Sequence, residues 1–206
     1  MVVDKKRILG SVRSGLLFII SAPAGTGKTS LTEKLIAEFP GRVVRSISCT
    51  TRTPREGEVE GRDYFFLTPQ DFEQRAAHGE FLEHATMFGE RYGTLESFVR
   101  QEQQQGKHLL LVIDTQGAAS LKAQGEPGVF IFISPPSLGE LRKRLAKRNT
   151  EESGLREGRI RKAEQEIEQI QDYDYHFVND HFDTAYEVLK SIVIAEGHRR
   201  VLDCED

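Results

Sequence analysis

The segment Ser21-Ala22-Pro23-Ala24-Gly25-Thr26-Gly27-Lys28-Thr29-Ser30 constrains this chain more than any other. It lies between an apolar run, Leu16–Ile20, and a stretch that carries Leu31, Leu35 and Ile36 at helical spacing. A short apolar run, a glycine-rich turn and an amphipathic helix in direct succession make the strand-turn-helix unit of a phosphate-binding loop. Gly25 and Gly27 let backbone N–H groups turn inward on phosphate oxygens, and the helix opening at Lys28 adds the positive end of its dipole. In this reading Ala22, Pro23, Ala24, Gly25, Thr26, Gly27, Lys28 and Thr29 hold the phosphates of ATP. Lys28 reaches the β and γ phosphates, and Thr29 places its hydroxyl on Mg2+. Ala22 stands where the general pattern has glycine, a departure of one methyl group.

Further apolar runs, Leu109–Ile113 and Val129–Ile133, are continuous instead of alternating, as in strands buried on both faces of a parallel sheet. Val43–Ile47 and His176–Val178 are weaker strands of the same kind. Helical signals fall between them, at Lys28–Phe39, Leu95–Gln105, Leu138–Lys147 (opened by Ser137 and Glu140 as a capping box) and Asp183–Glu196. Strands alternating with helices predict an α/β fold of three layers around a parallel sheet of about five strands. Asp114 follows one of the strands, at the end where open α/β sheets place ligands. It can hold Mg2+ directly or through water, accept protons from a substrate base, or cap the next helix.

Two segments break the rhythm. From Ser48 to Tyr92 the chain is polar, glycine-rich and aromatic, with a short strand at Tyr64–Leu67 and a helix opened by Thr68 and Pro69. From about Lys147 to Ile167 it is almost entirely charged, with Gly154 and Gly158 as expected weak points, and reads either as a mobile lid or as a solvated surface helix.

Composition closes off several classes. In 206 residues a single domain is the economical reading, and the formal net charge of −4 argues against a general nucleic-acid surface. No apolar run approaches the roughly 20 residues that span a bilayer, and no signal-peptide pattern opens the chain, so a cytoplasmic location without membrane contact is expected. Cys49 and Cys204 are far apart and in no metal spacing, which suits a reducing compartment.

A phosphate-binding loop serves many ATPases and GTPases, so the reaction must be read elsewhere. Ser48-Cys49-Thr50-Thr51-Arg52-Thr53-Pro54-Arg55-Glu56-Gly57-Glu58, followed by Gly61-Arg62-Asp63-Tyr64-Phe65-Phe66, resembles the GMP-binding region of guanylate kinases. The resemblance continues through Glu80-Phe81-Leu82-Glu83, Tyr92-Gly93-Thr94, Ile113-Asp114-Thr115-Gln116-Gly117, the arginines of the charged segment and Val178-Asn179-Asp180. It covers roughly residues 15 to 200. It implies a core of about 15–47, 95–140 and 170–200, a GMP-binding insertion of about 48–94 and a lid of about 141–167, all within one guanylate-kinase-like domain, 1–206.

The same resemblance implies the site. Arg52, Arg55, Tyr64 and Tyr92 grip the phosphate of GMP, a dianion well matched to paired guanidinium groups and hydroxyls. Glu83 accepts from the adjacent N1–H and N2–H of guanine, Ser48 and Thr94 supply hydroxyls, and Asp114 also approaches the base. Adenine, with an unprotonated N1, leaves Glu83 unpaired. Arg144, Arg148 and Arg159 come from the lid to cover charge in the transfer, with Lys28 the fourth catalytic cation. Asn179 matches a position near the adenine of ATP. Lys143 and Lys162 are expected to be solvated, and no histidine is given a catalytic role.

The activity implied is Mg2+-dependent transfer of the ATP γ-phosphoryl group to GMP, giving GDP and ADP, by a monomer or homodimer. Alternatives are a catalytically inactive guanylate-kinase-like interaction module and a kinase of another small acceptor. Two departures stand out. Val112 occupies a position where some family members carry a second carboxylate, and Asn149-Thr150-Glu151 lacks the glycine that often precedes the threonine.

Overall fold

A computed structural model describes residues 8–10, 14–87, 89–147 and 153–199. In chain order its elements are β1 (Leu17–Ser21), α1 (Lys28–Glu38), β2 (Val43–Arg45), β3 (Ser48–Thr50), β4 (Phe65–Phe66), α2 (Pro69–Ala77), β5 (Phe81–Met87), β6 (Glu90–Leu95), α3 (Glu96–Gln104), β7 (His108–Val112), α4 (Thr115–Ala123), β8 (Val129–Ser134), α5 (Leu138–Lys147), α6 (Ser153–Glu168), β9 (Tyr175–Val178) and α7 (Phe182–Gly197).

The continuous apolar runs become a five-stranded parallel sheet in the order β2-β7-β1-β8-β9. Because successive side chains point to opposite faces, a strand with helices on both sides must be apolar at every position. Phe18 and Ile20 of β1 pack with Leu110, Ile131 and Ile133 under α1 and α7, which contribute Leu31, Leu35, Ala185, Leu189 and Val193. Leu17 and Ile19 face the other way, with Leu109, Leu111 and Phe130, under Val99 of α3 and Ala118 and Leu121 of α4. Each such side chain contributes on the order of 1.5–3 kcal/mol on burial, so these two layers dominate the stability. The three-layer α/β expectation is met.

The strand expected over Val43–Ile47 ends at Arg45. The Ser46 N–H still donates to the Leu110 carbonyl at 3.0 Å, and the chain then leaves for a second sheet, of order β4-β3-β6-β5. There β6 runs antiparallel to both β3 and β5, with an irregular register between Phe81 and Glu83. Its own small core is Cys49, Phe72 and Phe81, the two phenyl rings stacked with centroids 4.5 Å apart. Burial pushes the Cys49 thiol up to about 11, so it packs as an unreactive apolar group. Cys204 lies outside the described residues. As expected, α2 is capped by Thr68, whose hydroxyl accepts from the Asp71 N–H at 3.1 Å, with Pro69 in the first turn.

The charged segment folds as α6, which runs unbroken through Gly158 and packs Ile160 and Ala163 on Leu141 and Leu145 of α5. Gly158 therefore does not interrupt the helix as expected. It faces open space, and its cost is only that of a glycine in a helix, about 1 kcal/mol. Among the described residues no helix is long and apolar enough to cross a membrane.

Candidate active site

The turn between β1 and α1 has the backbone that its glycines announce. Gly25 and Gly27 have φ of +90° and +100°, and Gly27 stands at the N-cap of α1. A Cβ on Gly27 would lie 2.6 Å from Asn179 Nδ2, so only glycine satisfies both the dihedral and the contact. The Asn179 amide donates to the Thr26 carbonyl at 2.6 Å, and the Asn179 carbonyl in turn accepts from Arg144 Nη1 at 3.2 Å. Buried Asn179 thus braces the loop from the end of β9, while Arg144 ties α5 to the same point. The Lys28 ammonium donates to the Ala22 carbonyl, closing the loop on itself. Burial pushes the Lys28 pKa down, against the charges of Glu166 and Asp114, which hold it up.

Beside the loop lies a cavity of about 280 Å³ between the two sheets and α6. Ala22, Ala24, Lys28 and Thr29 line it from the loop side, and Ser48, Tyr64, Glu83 and Tyr92 from the small sheet. Asp114 enters from the end of β7, and Arg159 from α6. A larger hollow of about 910 Å³ lies at the opposite end of β1, near Gly15 and Leu17. Its charged residues pair with each other, Arg100 with Glu126 at 2.5 Å and Arg199 with Glu196 at 3.4 Å.

Glu83 is buried on β5, and the Thr94 hydroxyl across the hairpin donates to its Oε1 at 2.6 Å. Burial pushes its carboxyl up to about 7, helped by the charge of Asp114 and opposed by Thr94. A Cβ on residue 117 would come within 2.6 Å of Glu83 Oε2, so Gly117 is what lets the small sheet seat this carboxylate on α4. Asp114 does cap α4, the capping alternative raised for it. Its Oδ1 accepts from the Gly117 N–H at 3.1 Å, which leaves Oδ2 toward the cavity.

Arg52 stands behind Tyr64, its guanidinium 5.4 Å from the ring centroid, and Tyr64 meets Tyr92 edge-on at 6.2 Å. Burial works against the charge of Arg52, but hydrogen bonds to Glu58 and Tyr92 outweigh it and raise its pKa. Arg55 is exposed on the same turn, and its N–H donates to Glu58 Oε2 at 2.8 Å. Of the residues named from the sequence, Pro23, Gly25, Thr26, Gly27, Arg52, Arg55, Thr94, Arg144 and Asn179 do not line this cavity, and Arg148 lies outside the described residues.

Three residues escaped the sequence reading. Glu58 joins Arg52 to the backbone of Arg55, and its spacing in Arg55-Glu56-Gly57-Glu58 is the only sequence signal. Lys162 and Glu166 line the cavity with Arg159, all on one face of α6. Lys162 was expected to be solvated. Instead its ammonium donates to Asp114 Oδ2 at 3.1 Å and its side chain is only 22% exposed, because α6 lies over the cavity. Lys143 is exposed, as expected. Helical spacing from Arg159 was the signal available for both missed residues.

Comparison with known proteins places the sequence in a family. The sequence pattern of the guanylate kinase family matches residues 14–196. The guanylate kinase of Protochlamydia amoebophila (strain UWE25) is 51% identical over 190 residues, covering 92% of this chain and 95% of the relative. That of Bacillus subtilis (strain 168) is 44% identical over 186 residues, covering 90% and 91%. The crystal structure of guanylate kinase from Anaplasma phagocytophilum superposes with a TM-score of 0.73 at 34% identity, covering 91% of this chain and 88% of that one. With a glycine loop facing a buried carboxylate across one cavity, in a sequence matched over nearly its whole length, the chain belongs to the guanylate kinase family.

Proposed function

We propose that this enzyme carries the γ-phosphoryl group of ATP to GMP across the cavity between the loop and the small sheet. The observation that supports this most is the placing of Glu83, a buried carboxylate, on the same 280 Å³ cavity as Lys28. A carboxylate there suits the paired N–H donors of guanine, with the Ser48 and Thr94 hydroxyls and Asp114 beside it. Arg52, Arg55, Tyr64 and Tyr92 would take the acceptor's phosphate, and Ala22–Thr29 those of ATP. The acceptor phosphate is already an ionised nucleophile, so orientation and charge stabilisation suffice without a general base.

The residues present fit Mg2+. The Thr29 hydroxyl and Asp114 carboxylate are hard oxygen donors on one cavity, and a small protein ligand set completed by water and phosphate is what Mg2+ favours. Asp114 Oδ2 already accepts from Lys162, so Asp114 would hold the ion through water. Bound there, Mg2+ would neutralise β and γ phosphate oxygens. Val112 offers no second carboxylate.

Arg144, Arg148 and Arg159 would complete the cage when residues of about 141–167 close as a lid, with the insertion of about 48–94 closing from the acceptor side. A cytoplasmic setting, where ATP is abundant, belongs to the same proposal. The test is a coupled assay of GMP, AMP, UMP and dGMP as acceptors. Turnover at least 100-fold higher with GMP than with AMP is expected, and equal turnover would overturn the assignment of Glu83.

A further inference from the structure

Lys162 ties the helix that lies over the cavity to the core. It follows Arg159 by one turn of α6, so both reach toward the same cavity. Its ammonium lies 3.1 Å from Asp114 Oδ2 and 3.9 Å from Glu166 Oε1, and the side chains of both acids are under 10% exposed, at 9% and 8%. Exposed ion pairs contribute little, whereas removing one partner of a pair so largely withdrawn from water leaves the other charge uncompensated, so Asp114 needs a donor in place of Lys162 whenever the two part.

Asp114 turns an engaged oxygen to the cavity. Oδ1 accepts from the Gly117 N–H at 3.1 Å, and Oδ2 accepts from Lys162 and, at 3.4 Å, from Gln116. A guanine reaching Asp114 brings N–H donors to the oxygen that the ammonium already occupies. Donor and ammonium therefore compete for Oδ2. The displaced ammonium keeps Glu166 at 3.9 Å but still feels the like charge of Lys28. Phosphoryl oxygens above Lys28, which the reaction brings, are the stronger anion within its reach.

We propose that Lys162 exchanges partners during the cycle. It is held by Asp114 in the empty site, and when the guanine N–H donors take that oxygen it turns to the phosphoryl oxygens beside Lys28. Recognition of the base is thereby linked to completion of the phosphate cage. This rests on the reading of Asp114 as part of the guanine site.

The exchange makes two properties move in opposite directions. In Lys162→Met the competitor for Asp114 is gone, so GMP alone, without ATP, binds about threefold more tightly by calorimetry at pH 8. The cage has lost a cation, so kcat falls about tenfold. Lys162→Arg keeps the charge and holds kcat within about threefold of the parent. If the Met variant melts below the assay temperature, Lys162→Gln takes its place and must lose kcat equally. Weaker GMP binding together with lower kcat would reduce Lys162 to a structural or simple phosphate-holding role and overturn the exchange, as would no change in either. Absence of GMP turnover in the parent enzyme would instead bring down the functional reading itself, and it is seen without any variant.

Discussion

Arg52 Nη2 lies 2.9 Å from each carboxylate oxygen of Glu58, and one of those oxygens also accepts from the Arg55 N–H at 2.8 Å. One acid thus fixes both arginines that the proposal assigns to the acceptor phosphate. The hydrogen bond from Arg52 holds the Glu58 carboxyl below its usual range, so it stays ionised at any pH of interest. Partial neutralisation of Arg52 by Glu58 costs some phosphate affinity, but the alternative is an unfixed turn. Glu58→Ala should therefore raise KM for GMP roughly tenfold, about 1.4 kcal/mol, while KM for ATP moves less than twofold. Steady-state kinetics with each substrate varied in turn decides it, and an equal rise in both would make Glu58 a general stabiliser.

The end of the cavity proposed for ATP rests on a brace of a different kind. Asn179 reaches the loop through the Thr26 carbonyl alone among its side-chain hydrogen bonds described above, and it takes Arg144 on its own carbonyl. Asn179→Ala leaves a buried carbonyl unpaired and loosens the loop without touching the small sheet. KM for ATP should rise about fivefold to tenfold and KM for GMP stay within twofold, the mirror image of the Glu58 result. Substrate-dependence measurements on both variants, side by side, show whether the two ends of the cavity separate in this way.

Stability at acid pH should be governed in part by His108, which is fully buried at the start of β7. Its Nδ1 accepts from the Leu16 N–H at 3.1 Å, so the neutral ring carries its proton on Nε2, which donates to the Leu9 carbonyl at 3.2 Å. Burial lowers its pKa. As pH falls through about 6.5 the unfolded chain binds a proton that the folded chain resists, so this contribution is complete above that pH and lost below it. The difference in melting temperature between the parent and His108→Asn should narrow from pH 7 to pH 5. A constant difference would mean that His108 does not titrate on unfolding.

The parallel sheet was legible because strands buried on both faces leave no room for polar positions, so Phe18, Ile19 and Ile20 announce their own setting. Of the small sheet only β4 was, expected over Tyr64–Leu67 and found at Phe65–Phe66. In β5 the pattern is broken by Glu83 and His84, in β6 by Arg91 and Tyr92, because these strands carry polar groups to a cavity and to solvent instead of filling a core. A helix after Asp114 was raised as an alternative but its extent was not read, since Gly117 and Ala118 are small where α4 lies close to the sheet and to Glu83. The loop residues were read from local sequence because their geometry is local. Lys162 was not, for its partner Asp114 is brought to it only by the tertiary fold, and its helical spacing from Arg159 was the one local sign that it shares the covered face.

In the role proposed for Glu83, stability and recognition respond to pH in opposite senses. Only its ionised form offers two acceptor oxygens to the N1–H and N2–H of guanine, yet burial pushes its pKa up to about 7, with Asp114 adding to the effect and the Thr94 hydroxyl opposing it. The value of kcat/KM for GMP should therefore fall as pH drops below about 7, with KM for ATP flat over the same window. For stability the sign is reversed. A carboxyl whose folded pKa is raised above the unfolded value contributes fully below about 4.5, and that contribution is lost as pH rises through about 7. Glu83→Gln keeps an oxygen for Thr94 but cannot ionise, so at pH 8 it should melt several degrees above the parent while binding GMP at least tenfold more weakly. Its kcat/KM should also lose the fall below pH 7. Calorimetric melts and pH-rate profiles measure both halves. If the acid limb survives in Glu83→Gln, a different group controls guanine binding. If the variant melts below the parent at pH 8, the buried carboxylate is better accommodated than its environment implies.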